Sequence, residues 1–122
     1  MRIFIIGNLG YIGPVVAKHF RSLQPDAFLA GFDIGYFIQN NTFNGIAGDT
    51  LFNAQYYGDV RNFDANQLNG FDAVIYLAAI SNDPMGKTYE QPTFDINQHA
   101  ALRLAEKARK RGVKSFIFAS SC

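Results

Sequence analysis

The sequence predicts an α/β fold: a doubly wound parallel sheet of five strands, covered by helices on both faces in three αβα layers. Two observations carry this. Short apolar runs alternate with segments of helical periodicity along the chain, and strands that read as continuous apolar runs, without period-two alternation, are those buried on both faces. Right-handed crossovers between parallel strands then give the order 3-2-1-4-5. A length of 122 residues suits one domain.

Ile3-Phe4-Ile5-Ile6 is the first strand. Tyr11 to Leu23 reads as a helix, with Ile12, Val15, Val16 and His19-Phe20 on one side. Pro14 falls in its first turn. If Tyr11 caps the helix, Pro14 is the third helical residue and no hydrogen bond is lost; a helix starting one residue earlier loses one. Pro25-Asp26 breaks the helix, and Ala27 to Phe32 is the second strand, ending in Asp33. The stretch from Ile34 to Gln55 is rich in Asn, Gly and Thr and reads as a long connection, with a short helix near Thr50 to Asn53. Gln55 to Gly58 is the third strand, and Phe63 to Leu68 supplies one or two helical turns. Asp72 to Ala79 is the fourth strand, followed by a polar loop from Ser81 to Lys87. Pro92 to Arg111 is a long helix with Phe94, Ala101, Leu102, Ala105 and Ala108 facing inward. Gly112 ends it as a C-cap glycine does, and Val113 to Ala119 is the fifth strand.

Composition narrows the function classes. With 48% hydrophobic and 17% charged residues a packed core is feasible and disorder is not expected. The net charge of +1 gives no argument for nucleic acid or an anionic membrane. The basic residues from Arg103 to Lys114 are explained by a helix C-terminus, whose dipole favours cations. Cys122 is the only cysteine, so no disulfide forms within the chain. There is no signal-peptide pattern and no apolar run of ~18 residues. A soluble, cytoplasmic setting is expected, no metal is expected, and the sequon at Asn40-Asn41-Thr42 reads as chance.

The chemically suggestive residues gather at one edge. Gly7, Asp33, Asp59, Ala79 and Ser120 each follow the carboxyl end of a different strand, where ligands bind in doubly wound sheets. Gly7, Gly10 and Gly13 can serve a tight strand exit, close approach of a pyrophosphate, and helix-on-sheet contact. Phosphate would then meet backbone amides near Tyr11 and Ile12. The same glycines could also make an ordinary strand–helix corner. Asp33 lies 20 residues past Gly13, where a carboxylate can accept both ribose hydroxyls and repel a 2′-phosphate, favouring NAD over NADP. Asp59 could accept the adenine amino group with Val60 against the ring, or could simply cap the next helical turn. Leu77-Ala78-Ala79 closes strand four with residues that let a cofactor backbone pass.

GNLGYIG, Asp33, GDVRN with Asp59, YLAA, DIN with Asn97, and FIFASS together resemble the extended short-chain dehydrogenase/reductase family over essentially all 122 residues. Within it they resemble NAD-dependent nucleotide-sugar epimerases and dehydratases. The resemblance implies a Rossmann-like fold and NAD as cofactor, with Tyr11 and Ile12 at the pyrophosphate and Asp33 at the adenosine ribose. It further implies Asp59 and Val60 at adenine, Leu77, Ala78 and Ala79 through Ser81 along the cofactor, and Asn97 reaching back toward it. Ser121 matches the hydroxyl that polarises the sugar during hydride transfer. Ile6 stands where the family usually has a threonine.

The family's general base is a tyrosine in Tyr-x-x-x-Lys, whose lysine lowers the tyrosine pKa. No tyrosine here has a lysine four residues on. The chain therefore reads as an N-terminal NAD-binding portion, truncated after strand five and without the substrate domain. The parent would act on a nucleotide sugar by transient hydride transfer, while the chain itself is expected to be inactive. An NAD(P)-dependent sugar reductase and a non-catalytic dinucleotide-sensing regulator are the alternatives. Phe116-Ile117-Phe118 would leave an exposed apolar edge, so a homodimer is expected. Sedimentation at high concentration checks it, and a persistent monomer would contradict it.

Overall fold

The computed structural model describes residues 1–36, 51–80 and 90–120. It holds one sheet of five parallel strands in the order β3-β2-β1-β4-β5. The strands are β1 (Arg2–Ile6), β2 (Phe28–Asp33), β3 (Ala54–Tyr57), β4 (Ala73–Tyr76) and β5 (Ser115–Phe118). Helix α1 (Ile12–Leu23) joins β1 to β2, and two short 3₁₀ turns, Val60–Asn62 and Ala65–Leu68, lie between β3 and β4. A helical stretch at residues 90–110, α2, joins β4 to β5. It comprises Glu90–Phe94, a wide π-type turn at Asp95–Ala100, and Ala101–Lys110. The predicted topology is therefore present.

The apolar runs form strands because both of their faces are covered. On one face Ile3, Ile5, Leu29 and Ile75 pack with Ala17 of α1 and Phe52. On the other, Phe4, Ile6, Ala30, Phe32, Val74 and Tyr76 pack with Ala101, Leu104 and Ala108 of α2 and with Phe63, Leu68 and Phe71. Where the second face has only 3₁₀ turns for cover, aromatic rings fill the space. Phe4 meets Phe71 edge-on at 4.9 Å between centroids, and Phe32 meets Phe63 the same way at 4.9 Å. Such pairs add attraction beyond the area they bury.

The helix ends follow local chemistry. Tyr11 is the N-cap of α1, which puts Pro14 at the third helical position, where its missing N–H costs no bond. Gly112 closes α2 with φ of 77°, and the Gly112 and Val113 amides donate to the Arg109 and Ala108 carbonyls, as a left-handed C-cap requires.

Each helix buries part of the face its periodicity suggests, Val16 and Phe20 of α1 and Ala101 and Ala108 of α2, but not all of it. In α1, Gly13, Pro14 and Ala17 are buried, while Ile12 is 56% and Val15 53% exposed. Small residues mark the closest approach to the sheet, so the larger apolar side chains flank the contact. In α2, Leu104 is buried, whereas Phe94 and Leu102 are exposed. The wide turn at Asp95–Ala100 adds a residue to one turn and rotates everything after it. Buried Tyr76 donates its hydroxyl to the Ile96 carbonyl in that turn at 2.6 Å. The strands are also slightly shorter than expected: β4 ends at Tyr76 and β5 at Phe118. The sequon at 40–42, most of the 34–55 connection and the 81–87 loop lie outside the described residues. Among the described residues no helix is long and apolar enough to cross a membrane.

Leu104→Ala is expected to lower stability by about 2–5 kcal/mol, and Leu102→Ala to change it by less than about 0.5 kcal/mol. Chemical denaturation of both variants checks this; equal losses would contradict the assigned face of α2.

Candidate functional site

The glycine turn is built by close approaches. Gly7 leaves β1 with φ of 80° and its amide donates to the Phe32 carbonyl at 2.8 Å. A Cβ there would lie 2.5 Å from the Ala78 nitrogen, so the exits of β1 and β4 pack too tightly for a side chain. A Cβ at Gly13 would fall 2.0 Å from the Asn8 carbonyl oxygen, which lets α1 sit directly on the turn. Gly10 differs. Its nearest neighbour would be the Gly7 carbonyl oxygen at 3.6 Å, an ordinary contact. No crowding among the described residues demands a glycine at position 10. The missing side chain instead leaves an open cradle beside the N-terminus of α1. That terminus has no side-chain cap and no acidic residue in its first turn, and Tyr11 is 80% exposed. The first amides of a helix lack intrahelical acceptors, so the turn has the fixed partial positive charge that an anion needs.

Asp33 stands across from this cradle. One carboxylate oxygen accepts from the Leu9 amide at 3.0 Å and the other from the Gly35 amide at 2.8 Å. The side chain thus ties the end of β2 to the glycine turn. Each oxygen retains acceptor capacity for a second donor, so the half-buried carboxylate can still receive hydroxyl groups.

Asp59 caps the first 3₁₀ turn, accepting from the Arg61 amide at 2.9 Å. The Arg61 guanidinium also grips both carboxylate oxygens. The capping role is therefore formed. Hydrogen bonding from the guanidinium holds the Asp59 carboxyl below the usual carboxylate range, against a smaller opposing effect of burial. Val60 is half-buried and packs on the aromatic core.

At the exit of β4, Leu77 and Ala78 are half-buried and Ala79 is exposed. Asn97 holds the next residue at both backbone groups: its amide nitrogen donates to the Ile80 carbonyl at 3.1 Å, and its oxygen accepts from the Ile80 amide at 2.9 Å. Asn97 belongs to the wide turn of α2, so it orients the β4 exit from the far side of the sheet edge. Ser120 lies just past β5 at the same edge, and Ser121 lies outside the described residues. Among the described residues no group of three or more His, Cys, Asp or Glu could hold a metal ion.

Three participants escaped the sequence reading. Arg61 is signalled only by its place two residues after Asp59. Tyr76 looks like any strand residue, yet it anchors the turn that presents Asn97. Gly31, in the interior of β2, sits where a strand glycine signals close approach of other groups.

The Asp59–Arg61 pair has a testable pH signature. A carboxyl that titrates lower when folded adds stability above its unfolded pKa and loses it as the pH falls through the depressed folded value. Arg61→Ala is expected to move the Asp59 titration upward, read by carboxyl carbon NMR. An unchanged midpoint would contradict control by the guanidinium.

The arrangement has close structural parallels. UDP-glucuronic acid 4-epimerase from Bacillus cereus in complex with NAD superposes with a TM-score of 0.79 at 23% identity, over 99% of this chain and 40% of that one. An NAD-dependent NDP-hexosamine 5,6-dehydratase involved in tunicamycin biosynthesis gives 0.80 at 19% identity, over 99% and 37%. UDP-N-acetylglucosamine 4-epimerase from Methanobrevibacter ruminantium M1, in complex with UDP-N-acetylmuramic acid, gives 0.73 at 23%, over 98% and 37%. These likenesses show a shared fold, and the chain spans about two fifths of those structures' lengths. No curated protein matches it in sequence. The family model for NAD dependent epimerases and dehydratases matches residues 3–122, and the chain, Rossmann-like in fold and carrying the glycine turn at its switch point, belongs to the NAD dependent epimerase/dehydratase family.

Proposed function

We propose that this chain is the NAD-binding part of an epimerase or dehydratase that acts on a nucleotide sugar. The open cradle at Gly10, beside the uncapped start of α1 and facing Asp33, carries the reading. Among the described residues nothing crowds Gly10 enough to require a glycine; a phosphate approaching the backbone would require one. Gly7, Gly10 and Gly13 would shape the pyrophosphate site, and the Tyr11 and Ile12 amides would donate to it. Asp33 would accept the adenosine ribose hydroxyls with the acceptor capacity its two backbone bonds leave. Asp59 and Val60 would border the adenine. Arg61 favours the ionised carboxylate and fixes its direction, so Asp59 would offer an acceptor to an adenine amino group. Leu77, Ala78 and Ala79 would line the nicotinamide half, held in place through Ile80 by Asn97.

NAD, when bound, supplies reversible hydride acceptance. Ser121 is the side chain that would hydrogen-bond the reacting sugar oxygen. Tyr76 does not suit a general base: it is buried, donates to a backbone carbonyl, and burial raises its pKa above the usual phenol value. With no Tyr-x-x-x-Lys in these residues, the chain would hold cofactor without turning sugar over, and the parent's activity would depend on further residues.

Calorimetric titration of wild type and Asp33→Ala with NAD and NADP tests the assignment. Wild type is expected to prefer NAD. Loss of the carboxylate should weaken NAD roughly tenfold or more, about 1.4 kcal/mol or above, and narrow the gap to NADP. Unchanged binding of both cofactors by Asp33→Ala would remove Asp33 from the site, and turnover of a nucleotide sugar by this chain would contradict the assignment of the base elsewhere.

A further inference from the structure

Asn8 carries a side-chain amide that is fully enclosed, at 0% exposure. A buried amide is costly unless its hydrogen bonds are made. Asn8 makes them with one partner on a distant strand. Its amide nitrogen donates to the Gln55 oxygen at 2.6 Å, and the Gln55 nitrogen donates back to the Asn8 oxygen at 3.2 Å. Gln55 is itself steadied by donating to the Tyr56 carbonyl at 3.0 Å.

The pair lies over Gly31. β2 separates β1 from β3, with Gly31 in register between Ile5 and Gln55. A Cβ on Gly31 would lie 2.2 Å from the Asn8 amide nitrogen and 2.6 Å from the Gln55 oxygen. The glycine therefore makes the gap that the two amides fill. From above, Gly13 presses α1 against the Asn8 backbone. Asn8 is thus clamped between two glycines, one on α1 and one on β2, and tethered sideways to β3.

We propose that this Asn8–Gln55 clasp, seated over Gly31, sets the height and register of the glycine turn, making Asn8, Gln55 and Gly31 positioning residues for the dinucleotide. The proposal rests on the reading that the turn receives the pyrophosphate. The Gly7 and Leu9 amides, bonded to the Phe32 carbonyl and the Asp33 carboxylate, flank Asn8 and hold the turn on β2 only while Asn8 stays at its present depth. Asn8, at 0% exposure, would act on ligand affinity through geometry and not by contact.

The test uses the full chain, with Gln55→Met and Asn8→Leu, alone and combined, each near-isosteric and unable to pair. Gly31→Ala is a third route to the same defect, and Leu104→Ala, on the opposite sheet face, controls for general destabilisation. NAD affinity is read by calorimetry at a temperature where every variant is folded, and Gly7 and Leu9 amide exchange is read by NMR without NAD. Each single variant is expected to weaken NAD about tenfold and to speed exchange at Gly7 and Leu9. The double variant should be no worse than either single one, because one interaction is removed. Leu104→Ala should do neither. NAD affinity and turn exchange like wild type in Gln55→Met, or losses matched by Leu104→Ala, would overturn the clasp as a positioning device. If wild type binds no NAD, the cofactor reading fails by itself, and exchange decides the clasp: faster Gly7 and Leu9 exchange in Gln55→Met upholds it, unchanged exchange overturns it.

Discussion

Close approach of three backbone segments around Asn8 is the constraint on which the site depends. β1 must leave the sheet, turn and start α1 within a few residues, while β2 and β4 run alongside at strand spacing. A side chain at Gly7 would strike Ala78, and one at Gly13 would strike Asn8. Because these two positions are glycine, the start of α1 can be pinned directly over the sheet's carboxyl edge. Among the described residues no side chain caps the N-terminus of that helix. Gly10, uncrowded by the described residues, leaves space beside the amides of that terminus.

The same edge is braced by polar groups that each link two elements. Asp33 joins β2 to the glycine turn, Asn97 joins α2 to the exit of β4, and the Tyr76 hydroxyl joins β4 to the wide turn that presents Asn97. None of these bonds is individually worth more than about 1–3 kcal/mol. Together they fix where donors and acceptors point before any ligand arrives, which lowers the ordering cost of binding. That division of labour suits the family: an apolar interior builds the sheet, and the chemistry is confined to strand exits.

Much of this was legible in the sequence. Continuous apolar runs such as Ile3 to Ile6 declare strands buried on both faces, and their alternation with helices leads directly to the observed strand order. The glycine spacing and Asp33 mark the edge because local backbone demands leave few alternative residues. What stayed hidden depends on long separations or on irregular geometry. Asn8 and Gln55 are 47 positions apart, and nothing near either one announces the other. The wide turn at Asp95–Ala100 breaks the period between Phe94 and Ala101, so Phe94 is exposed while Ala101 and Ala108, with Leu104 on the same face, lie in the core. Asp59 caps its turn as one of its two readings had it, and the Arg61 guanidinium on both of its oxygens was not announced by spacing.

The central claim is that a dinucleotide binds at the carboxyl edge, with its phosphates over Gly10. Backbone amide NMR shifts followed through an NAD titration test this most directly. The largest shifts are expected at residues 7–13, with a second group at Asp33 and at Leu77 to Ile80, and little change at the opposite strand ends near Met1, Phe28 and Asp72. Shifts concentrated at those opposite ends, or on the outer face of α2 around Leu102, would contradict it.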